Sequence, residues 1–375
     1  MPLPVGYIDF HKNPFLNYQF NRLYSTGFSR EQDLRKAAKW IKGPEDCAPI
    51  MFYFAEEAKK EKRLRNAAFY LRGAEFFIEP GNPKKQEVYE DFLKTFDKAF
   101  WLAGFIRHEV PYKNGKLPVL YFPSQTSAPK GTIVCFGGFD SLIEEFYCIW
   151  DGLSRSGYNV YAFDGPGQGG ALRLHQLPFE HDWEGPVGAV LDHFKVNRTA
   201  IMGVSMGGYW AVRAAAFEKR IHRVIAMPPV YDWMELAGSF STKLVAWLRK
   251  FPGLMDFLVR IKMSVPLLRH AVKQANFISG TSKPHEAVDW MMGMNKDHLH
   301  SGSVSQSCLL LGGENDAFQP PKLLQAQASA LIHARSVTTR IFTKEEHADQ
   351  HCQIGNLGLA IKEIISWLDT GKVGN

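Results

Sequence analysis

A lone serine stands between glycines in the stretch Ile201-Met-Gly-Val-Ser205-Met-Gly-Gly-Tyr-Trp210. The short apolar run at 198–204 predicts a buried strand before the serine, and the Ala-rich run at 209–217 predicts a helix after it. Because strand and helix approach closely at such a turn, the neighbours of the serine must lack a Cβ, as Gly203 and Gly207 do. This setting predicts a nucleophile elbow with Ser205 at its tip. A plain glycine turn with a bystander serine is the alternative.

Strands and helices alternate around this turn. Short β-rich runs predict strands at 105–110, 116–122, 131–136, 159–163, 198–204, 223–227, 305–311 and 336–342. Helical patterns lie between or after them at 144–156, 183–195, 206–216, 320–333 and 353–369. This order predicts the α/β class, with a mostly parallel sheet that helices cover on both faces. The serine then falls at the carboxyl end of a strand, where such sheets place their ligands.

The chain divides into four predicted segments. A helical N-terminal region at 1–104 has helical patterns at 32–42, 48–59, 62–77 and 84–102. The first part of the α/β core follows at 105–229, a helical lid at 230–303 and the second part of the core at 304–375.

The lid segment has helical patterns at 242–250, 254–262 and 286–294. It carries large or soft apolar side chains, namely Trp233, Trp247, Trp290 and the methionine cluster at 291–294. Such side chains suit the roof of a substrate pocket. The alternative is that they form the ordinary core of a helical subdomain.

The N-terminal region is unusually aromatic. Its aromatic residues include Phe15, Tyr18, Phe20, Tyr24, Phe28, Phe52, Tyr53 and Phe54. Because a solvated tail requires no such content, we expect the region to pack on the core and the lid, and it could also join two chains in a homodimer.

The composition of the chain indicates which kinds of partner, membrane or nucleic acid among them, are not expected. The chain has 375 residues, 45% of them hydrophobic, which is enough for a sizeable core. No run approaches the roughly 18 apolar residues that a membrane helix needs, and a targeting pattern is missing from the first residues, so we expect no membrane partner and a cytoplasmic location. The formal charge is +6, and the densest basic patch alternates with glutamates. This pattern is typical of a solvated helix face, so no nucleic-acid partner is expected.

Cysteines and histidines give no sign of a metal or cofactor. The five cysteines are scattered in mostly apolar runs, which predicts reduced, packed thiols. His347 and His351 stand four apart, but they lie in a loop pattern without an obvious third ligand. No cofactor or metal is therefore expected, and the expected partners are a small-molecule substrate and, in a homodimer, a second copy of the chain.

A serine hydroxyl becomes a good nucleophile when a histidine base, oriented by an acid, accepts its proton. A buried apolar run and a glycine turn lead to Glu314 and Asp316. Asp316 is favoured because it directly precedes the segment that starts the next helix, and Glu314 is the alternative. The loop after the last strand offers His347 and His351, of which His351 is favoured because it lies just before the terminal helix.

The oxyanion that forms during such an attack needs hydrogen-bond donors, and backbone N–H groups at turns can supply them. One candidate is the N–H of Met206, which directly follows the serine. The turn Cys135-Phe-Gly-Gly-Phe-Asp-Ser141 offers the other, with Phe139 favoured over Gly138. A simple tight turn is the alternative interpretation of the glycine pair.

Six short motifs along the chain occur together in one known group of proteins. They are Gly137-Gly-Phe-Asp-Ser, Asp164-Gly-Pro-Gly-Gln-Gly169, His181-Asp-Trp-Glu184, Gly203-Val-Ser-Met-Gly-Gly208, Pro229-Val-Tyr-Asp-Trp233 and His351-Cys-Gln. Over most of its length the chain resembles the branch of α/β-hydrolases that includes dihydroxypseudooxynicotine hydrolase and fungal hydrolases that shorten or release polyketide chains. The resemblance implies the α/β-hydrolase fold, a cofactor-free serine hydrolase and His351 as the base. Related loops carry glycine where this chain has His347, which leaves open a second proton-transfer group.

The resemblance also bears on the reaction. Some members of the branch cut a carbon–carbon bond next to a ketone, which calls for an additional acid or base. The candidate substrate-binding residues are Asp140, Glu144, Tyr231, Asp232, Trp233 and Glu235. The four acids among them are the candidates for that additional group. The expected substrate is a bulky ketone or polyketide-like acyl compound, with ester or thioester hydrolysis, acyl transfer or cyclisation in secondary metabolism as alternatives.

Overall fold

The computed structural model describes residues 2–232 and 238–370, and side chains 233–242 lie outside the described part. The described residues form one sheet of eight strands: β1 (Ile106–Tyr112), β2 (Gly115–Phe122), β3 (Gly131–Phe136), β4 (Tyr158–Phe163), β5 (Thr199–Val204), β6 (Ile221–Met227), β7 (Ser307–Gly313) and β8 (Ser336–Phe342). Their spatial order is β1-β2-β4-β3-β5-β6-β7-β8. Strand β2 pairs antiparallel with β1 and β4, and the other pairings are parallel. The predicted mostly parallel sheet is confirmed.

Helices lie before, between and after the strands. The first five are α1 (Pro14–Ser25), α2 (Glu31–Trp40), α3 (Pro44–Lys60), α4 (Leu64–Phe77) and α5 (Pro83–Phe100). Four more are interspersed among strands β3 to β6, namely α6 (Tyr147–Arg155), α7 (Gly169–Arg173), α8 (Glu184–His193) and α9 (Gly207–Phe217). Between β6 and β7 come α10 (Gly238–Leu248), α11 (Pro252–Lys262), α12 (Pro266–Ser279), α13 (Pro284–Gly293) and α14 (Lys296–Leu299). The last two are α15 (Pro321–Ala330) and α16 (Leu357–Thr370).

The central strand β5 shows why the sheet is covered on both faces. All six of its residues are buried. Ala200, Met202 and Val204 belong to one hydrophobic core, and the intervening Ile201 belongs to the other. Because side chains alternate along a strand, this division places one core on each face of the sheet. None of the helices described is both long and apolar enough to span a bilayer.

Four of the described helices were missing from the sequence-based prediction, namely the long helices α1 and α12 and the short helices α7 and α14. Helix α1 begins after Asn13, whose side chain accepts hydrogen bonds from two N–H groups of the first turn, and Pro14 occupies its first position. Helix α12 also begins with a proline, and it ends at Gly280, whose φ of +67° suits glycine. Both long helices therefore carried start or stop signals, which the prediction from apolar periodicity did not use.

The N-terminal helices share a core with the sheet. Tyr18 of α1 and Phe96 of α5 lie in the same hydrophobic cluster as Leu120 of β2. Of the aromatic residues named for this region, Phe52 and Tyr53 are 40% and 47% exposed and do not belong to this core. They lie on the outer side of α3, and the homodimer stays a prediction.

A buried network of charges ties α4 to the turn after β3. The Arg72 guanidinium donates to Glu75 at 2.9 Å, to Glu145 at 3.0 Å and to the Asp140 carbonyl at 2.7 Å. The Arg72 side chain is 3% exposed, and the two glutamates are 2% exposed or less. Removal of one partner from such a network leaves an opposite charge buried without compensation.

We expect Arg72→Met to destabilise the protein by about 3–5 kcal/mol, because Glu75 and Glu145 would remain buried with fewer donors. Urea denaturation followed by circular dichroism measures the change. Arg35→Met is the matched control, since Arg35 and its partner Glu31 are 49% and 43% exposed and such a pair contributes at most about 1 kcal/mol. Equal stability of the two variants would contradict the structural role of Arg72.

Candidate active site

Ser205 lies at the tip of the sharp turn between β5 and α9. Its φ of +58° lies in the left-handed region, which residues with a side chain rarely adopt. The Ser205 N–H donates to the Met227 carbonyl at 2.7 Å, which holds the turn against β6. A Cβ on Gly203 would lie 1.9 Å from the Gly207 carbonyl oxygen. Strand and helix can therefore approach only because that Cβ is absent, as the sequence pattern predicted.

A continuous chain of hydrogen bonds joins Ser205 to two distant parts of the sequence. Ser205 Oγ lies 2.8 Å from His351 Nε2. On the other side of the ring, His351 Nδ1 lies 2.8 Å from Asp316 Oδ2 and 3.1 Å from Oδ1. Because a carboxylate only accepts hydrogen bonds, Nδ1 carries the proton of the neutral ring and Nε2 is free to accept from the serine hydroxyl. In this arrangement the histidine can remove the serine proton.

Asp316 is the acid that reaches the histidine. It is 3% exposed, and its Oδ1 also accepts from the N–H groups of Phe318 and Gln319, each at 2.8 Å. These bonds hold the carboxylate in one orientation. Glu314, the alternative acid, is exposed and accepts from the Lys344 N–H at 2.8 Å. The preference for Asp316 over Glu314 agrees with this geometry.

The charged form of His351 is stabilised by its surroundings. Burial alone would lower the pKa of His351, but the adjacent Asp316 carboxylate outweighs burial and holds that pKa well above 6.5. The main chain is braced by helix α1, because the Tyr18 hydroxyl donates to the His351 carbonyl at 3.4 Å. The ring is therefore held in position, and the positive charge that it gains on taking a proton is compensated.

The turn after β3 lies directly against the serine. A Cβ on Gly138 would come within 2.7 Å of the Ser205 Cβ. The Gly138 N–H donates to Ser141 Oγ at 2.7 Å, so this donor already has an acceptor and the geometry gives no support to Gly138, the second choice for the oxyanion. Gln168 fixes the turn by donating to the carbonyls of Gly137 and Gly138 at 2.7 and 2.9 Å.

The two favoured oxyanion donors both belong to residues that line the cavity beside the serine. Met206 directly follows Ser205 and is the N-cap residue of α9. Phe139 lies on the turn after β3, one residue beyond Gly138. The positive end of a helix dipole favours negative charge at the position of Met206. The oxyanion role of these two N–H groups stays a prediction.

The cavity beside Ser205 has a volume of about 480 Å³. Its walls come from the core turns, from α1 and from α12, and the lining surface is mostly apolar. Helix α1 contributes Phe15, Tyr18, Gln19 and Arg22, and α12 contributes His270, Ala271 and Gln274. A largely apolar cavity with a few polar groups suits a bulky organic compound.

Three candidate substrate-binding residues lie elsewhere. Glu144 is 1% exposed and accepts from Arg107 at 2.6 Å. Asp232 is buried and accepts from the Lys296 N–H at 3.4 Å. Neither these acids nor Tyr231 lies among the residues that line the cavity, so the structure does not support a substrate contact for them.

Asp140 does line the cavity, but a cation lies against it. Arg22 donates to both carboxylate oxygens at 3.2 Å. Burial alone would raise the pKa of Asp140, and the Arg22 guanidinium outweighs burial so that this pKa is lowered. Asp140 is therefore ionised at neutral pH and holds no proton to donate. The predictions for Trp233 and Glu235 lie outside the described residues.

Among the described residues, those predicted to form the roof do not line the cavity. Trp247 is 50% exposed. Trp290 packs on Phe179 with their ring centroids 5.2 Å apart and donates to its carbonyl at 3.3 Å. Met294 is fully buried in the core on the α9 side of the sheet. For Trp290 and Met294 the alternative interpretation, ordinary packing, is the correct one.

His347 is exposed and does not line the cavity. Its φ is +57°, in the region that favours glycine. A glycine would adopt this backbone conformation with less strain than histidine does. The geometry gives no support to His347 as a second proton-transfer group.

Several cavity residues were not predicted from the sequence. They include Arg22, His270, Gln274 and Phe318. The capping signals of α1 and α12 would have placed the first three on helices. Their position beside the serine depends on contacts between distant segments, which no local pattern reveals.

Comparison with known proteins identifies the family. The family model for the alpha/beta hydrolase fold matches residues 131–336. Hydrolase LUC6 of Fusarium sp is 30% identical over 409 residues, covering 95% of this chain and 96% of that protein. The 20-hydroxy-prefusarin hydrolase FUS2 of Gibberella moniliformis is 28% identical over 410 residues, with 95% and 96% covered.

Solved structures show the same fold over nearly the whole chain. The crystal structure of the 2,6-dihydroxy-pseudo-oxynicotine hydrolase has a TM-score of 0.64 at 19% identity and covers 93% of this chain and 94% of its own. The match therefore includes the N-terminal helices as well as the sheet. This chain belongs to the α/β-hydrolase family, and it is a hydrolase of the branch that contains these relatives.

Proposed function

We propose that this protein is a serine hydrolase in which Ser205 attacks a carbonyl carbon. His351 takes the serine proton, and Asp316 orients the histidine and stabilises its positive charge. The N–H groups of Met206 and Phe139 hold the oxyanion. The observation that carries the proposal is the unbroken hydrogen-bonded chain, with 2.8 Å from Ser205 Oγ to the histidine and 2.8 Å from the histidine to Asp316.

We further propose that the substrate is a bulky ketone or polyketide-like acyl compound and that a carbon–carbon bond is hydrolysed. Serine attack would give a tetrahedral alkoxide, whose collapse breaks the bond to the neighbouring carbon. If that carbon lies beside a second carbonyl, the electron pair leaves as an enolate, which the protonated His351 can neutralise. Water activated by the same histidine would then release the acyl group from Ser205.

Two observations support this substrate class. The cavity of about 480 Å³ is walled by aromatic side chains such as Tyr18, Phe76 and Phe318. One relative is named 20-hydroxy-prefusarin hydrolase, and the similarity to it covers 95% of this chain. We also propose that the helices between β6 and β7 act as the lid, with α12 as the part that covers the cavity.

Hydrolysis of an ester or thioester is the second candidate, and the Arg22–Asp140 ion pair favours it. A carbon leaving group that takes its proton from a group other than His351 needs an additional acid, which was the sequence-based hypothesis. Asp140 is ionised beside Arg22 and cannot supply that proton. An alcohol or thiol leaving group needs only the proton that His351 already carries.

We expect Ser205→Ala and His351→Ala each to lower kcat on an activated aryl ester by about ten-thousandfold or more, because each removes an essential member of one catalytic unit. Initial rates from stopped-flow absorbance measure the loss. Ser282→Ala, an exposed serine on the lid side, is the control and should keep the wild-type rate. Near-normal rates in both catalytic variants would refute the proposal.

The pH dependence follows from the raised pKa of His351. The neutral ring is the base, so kcat/KM should fall as the pH drops through that pKa, and the midpoint should lie above 6.5. Asp316→Asn removes the carboxylate that raises the pKa, so the midpoint should move to lower pH while kcat decreases. Rate profiles between about pH 5 and pH 10 check both shifts. An unchanged midpoint in Asp316→Asn would contradict the assignment.

Matched substrates separate the two reactions. We expect the wild-type protein to cleave an aryl β-diketone to an aryl carboxylate and a methyl ketone, and to hydrolyse the corresponding aryl ester. Mass spectrometry of the products shows which bond was cleaved, and the Ser205→Ala protein is the negative control. Turnover of the ester alone would exclude carbon–carbon cleavage and leave the second candidate.

A further inference from the structure

Two polar atoms in the wall of the catalytic cavity lack a hydrogen-bond partner. His270 Nε2 and Gln274 Oε1 are both buried, and neither has a donor or acceptor within reach among the described residues. The two side chains are 8% and 6% exposed. They lie four residues apart on α12, so they project from one face of the helix, and both line the cavity that contains Ser205. A buried polar atom left without a partner is costly, so such a pair indicates a place where a ligand or water binds.

The surroundings keep His270 neutral. Burial lowers its pKa, and the nearby Lys85 lowers it further. The ring packs on Phe76 and Phe77, with ring centroids 5.3 and 6.0 Å apart. A neutral imidazole nitrogen can donate or accept one hydrogen bond, according to its tautomer. The subsite therefore offers no full charge to a ligand and does not call for an anion.

The hydrogen-bonding capacity of these two atoms determines which chemical group of a ligand can bind beside them. Gln274 Oε1 only accepts, so the ligand must donate a hydrogen there. In the tautomer that carries the proton on Nε2, His270 can donate a hydrogen bond to the ligand. A hydroxyl oxygen both donates and accepts, whereas a ketone or ether oxygen would leave the Gln274 oxygen unpaired. Neither atom hydrogen-bonds to Ser205, His351 or Asp316, so this hydroxyl differs from the carbonyl under attack.

We propose that His270 and Gln274 form a hydroxyl-binding subsite, and that the substrate carries an alcohol or phenol hydroxyl in addition to its reacting carbonyl. This inference rests on the proposed function, since it names a further feature of the same substrate.

Binding of simple aryl ketones tests the subsite without any turnover. Acetylnaphthalene and its monohydroxy derivatives, one for each free ring position, are titrated into the Ser205→Ala protein by calorimetry. At least one derivative should bind about tenfold or more tightly than its parent, because the parent leaves the Gln274 oxygen unpaired. In the Gln274→Met background this preference should fall to about twofold or less, since the variant keeps the size but loses the acceptor.

Further variants separate recognition from packing. Gln274→Glu keeps an acceptor oxygen and should retain the preference, and His270→Phe should reduce it. Lys273→Met changes the same helix at a side chain that is 39% exposed and should leave the preference intact. If the two side chains only pack, their replacement would weaken the binding of all ligands equally and leave the ratio of affinities unchanged.

The subsite is refuted if no derivative is preferred, or if Gln274→Met and His270→Phe both keep the full preference. Full esterase activity in Ser205→Ala would instead refute the proposed catalytic role, whatever the binding ratios show.

Discussion

The site depends on the strained turn at Ser205. A left-handed backbone at a residue with a side chain persists only where surrounding contacts fix it, and here the neighbouring strand accepts the Ser205 N–H. Helix α9 meets β5 so closely that a Cβ at Gly203 would collide with the main chain of Gly207. The same turn exposes the serine oxygen at the edge of the sheet, 2.8 Å from His351. The close packing of α9 on β5 and the position of the serine oxygen therefore both depend on the backbone conformation of Ser205.

Buried charges attach the N-terminal helices to this edge. Arg22 and Arg72 both bind Glu145, and Arg22 also pairs with Asp140 at the cavity wall. Because the ions are buried, their mutual attraction is screened little by water, and each depends on the others for compensation. Helix α1 thus forms part of the catalytic cavity, and Tyr18 reaches the main chain of the histidine. The N-terminal region contributes to the site itself as well as to stability.

Local patterns predicted the sheet, most helices and the serine turn, because apolar periodicity and glycine placement act over a few residues. Strand β8 was predicted with its exact bounds, and Asp316 was preferred over Glu314 from its place before a helix. The cavity wall was not predictable in this way. Helix α12 lines one side of the cavity, and two of the tryptophans expected there lie elsewhere, since Trp247 is half exposed and Trp290 packs on Phe179. The Gly138 N–H was unavailable because Ser141 binds it, a contact that spacing alone does not reveal.

Covalent labelling with a fluorophosphonate, followed by peptide mass spectrometry, tests whether this turn presents a reactive nucleophile. The hydrogen-bonded chain through His351 to Asp316 predicts a single phosphonyl adduct on the peptide that contains Ser205. Labelling should disappear in Ser205→Ala and slow strongly in His351→Ala. An adduct on another residue, or undiminished labelling of Ser205→Ala, would contradict the proposed role of Ser205.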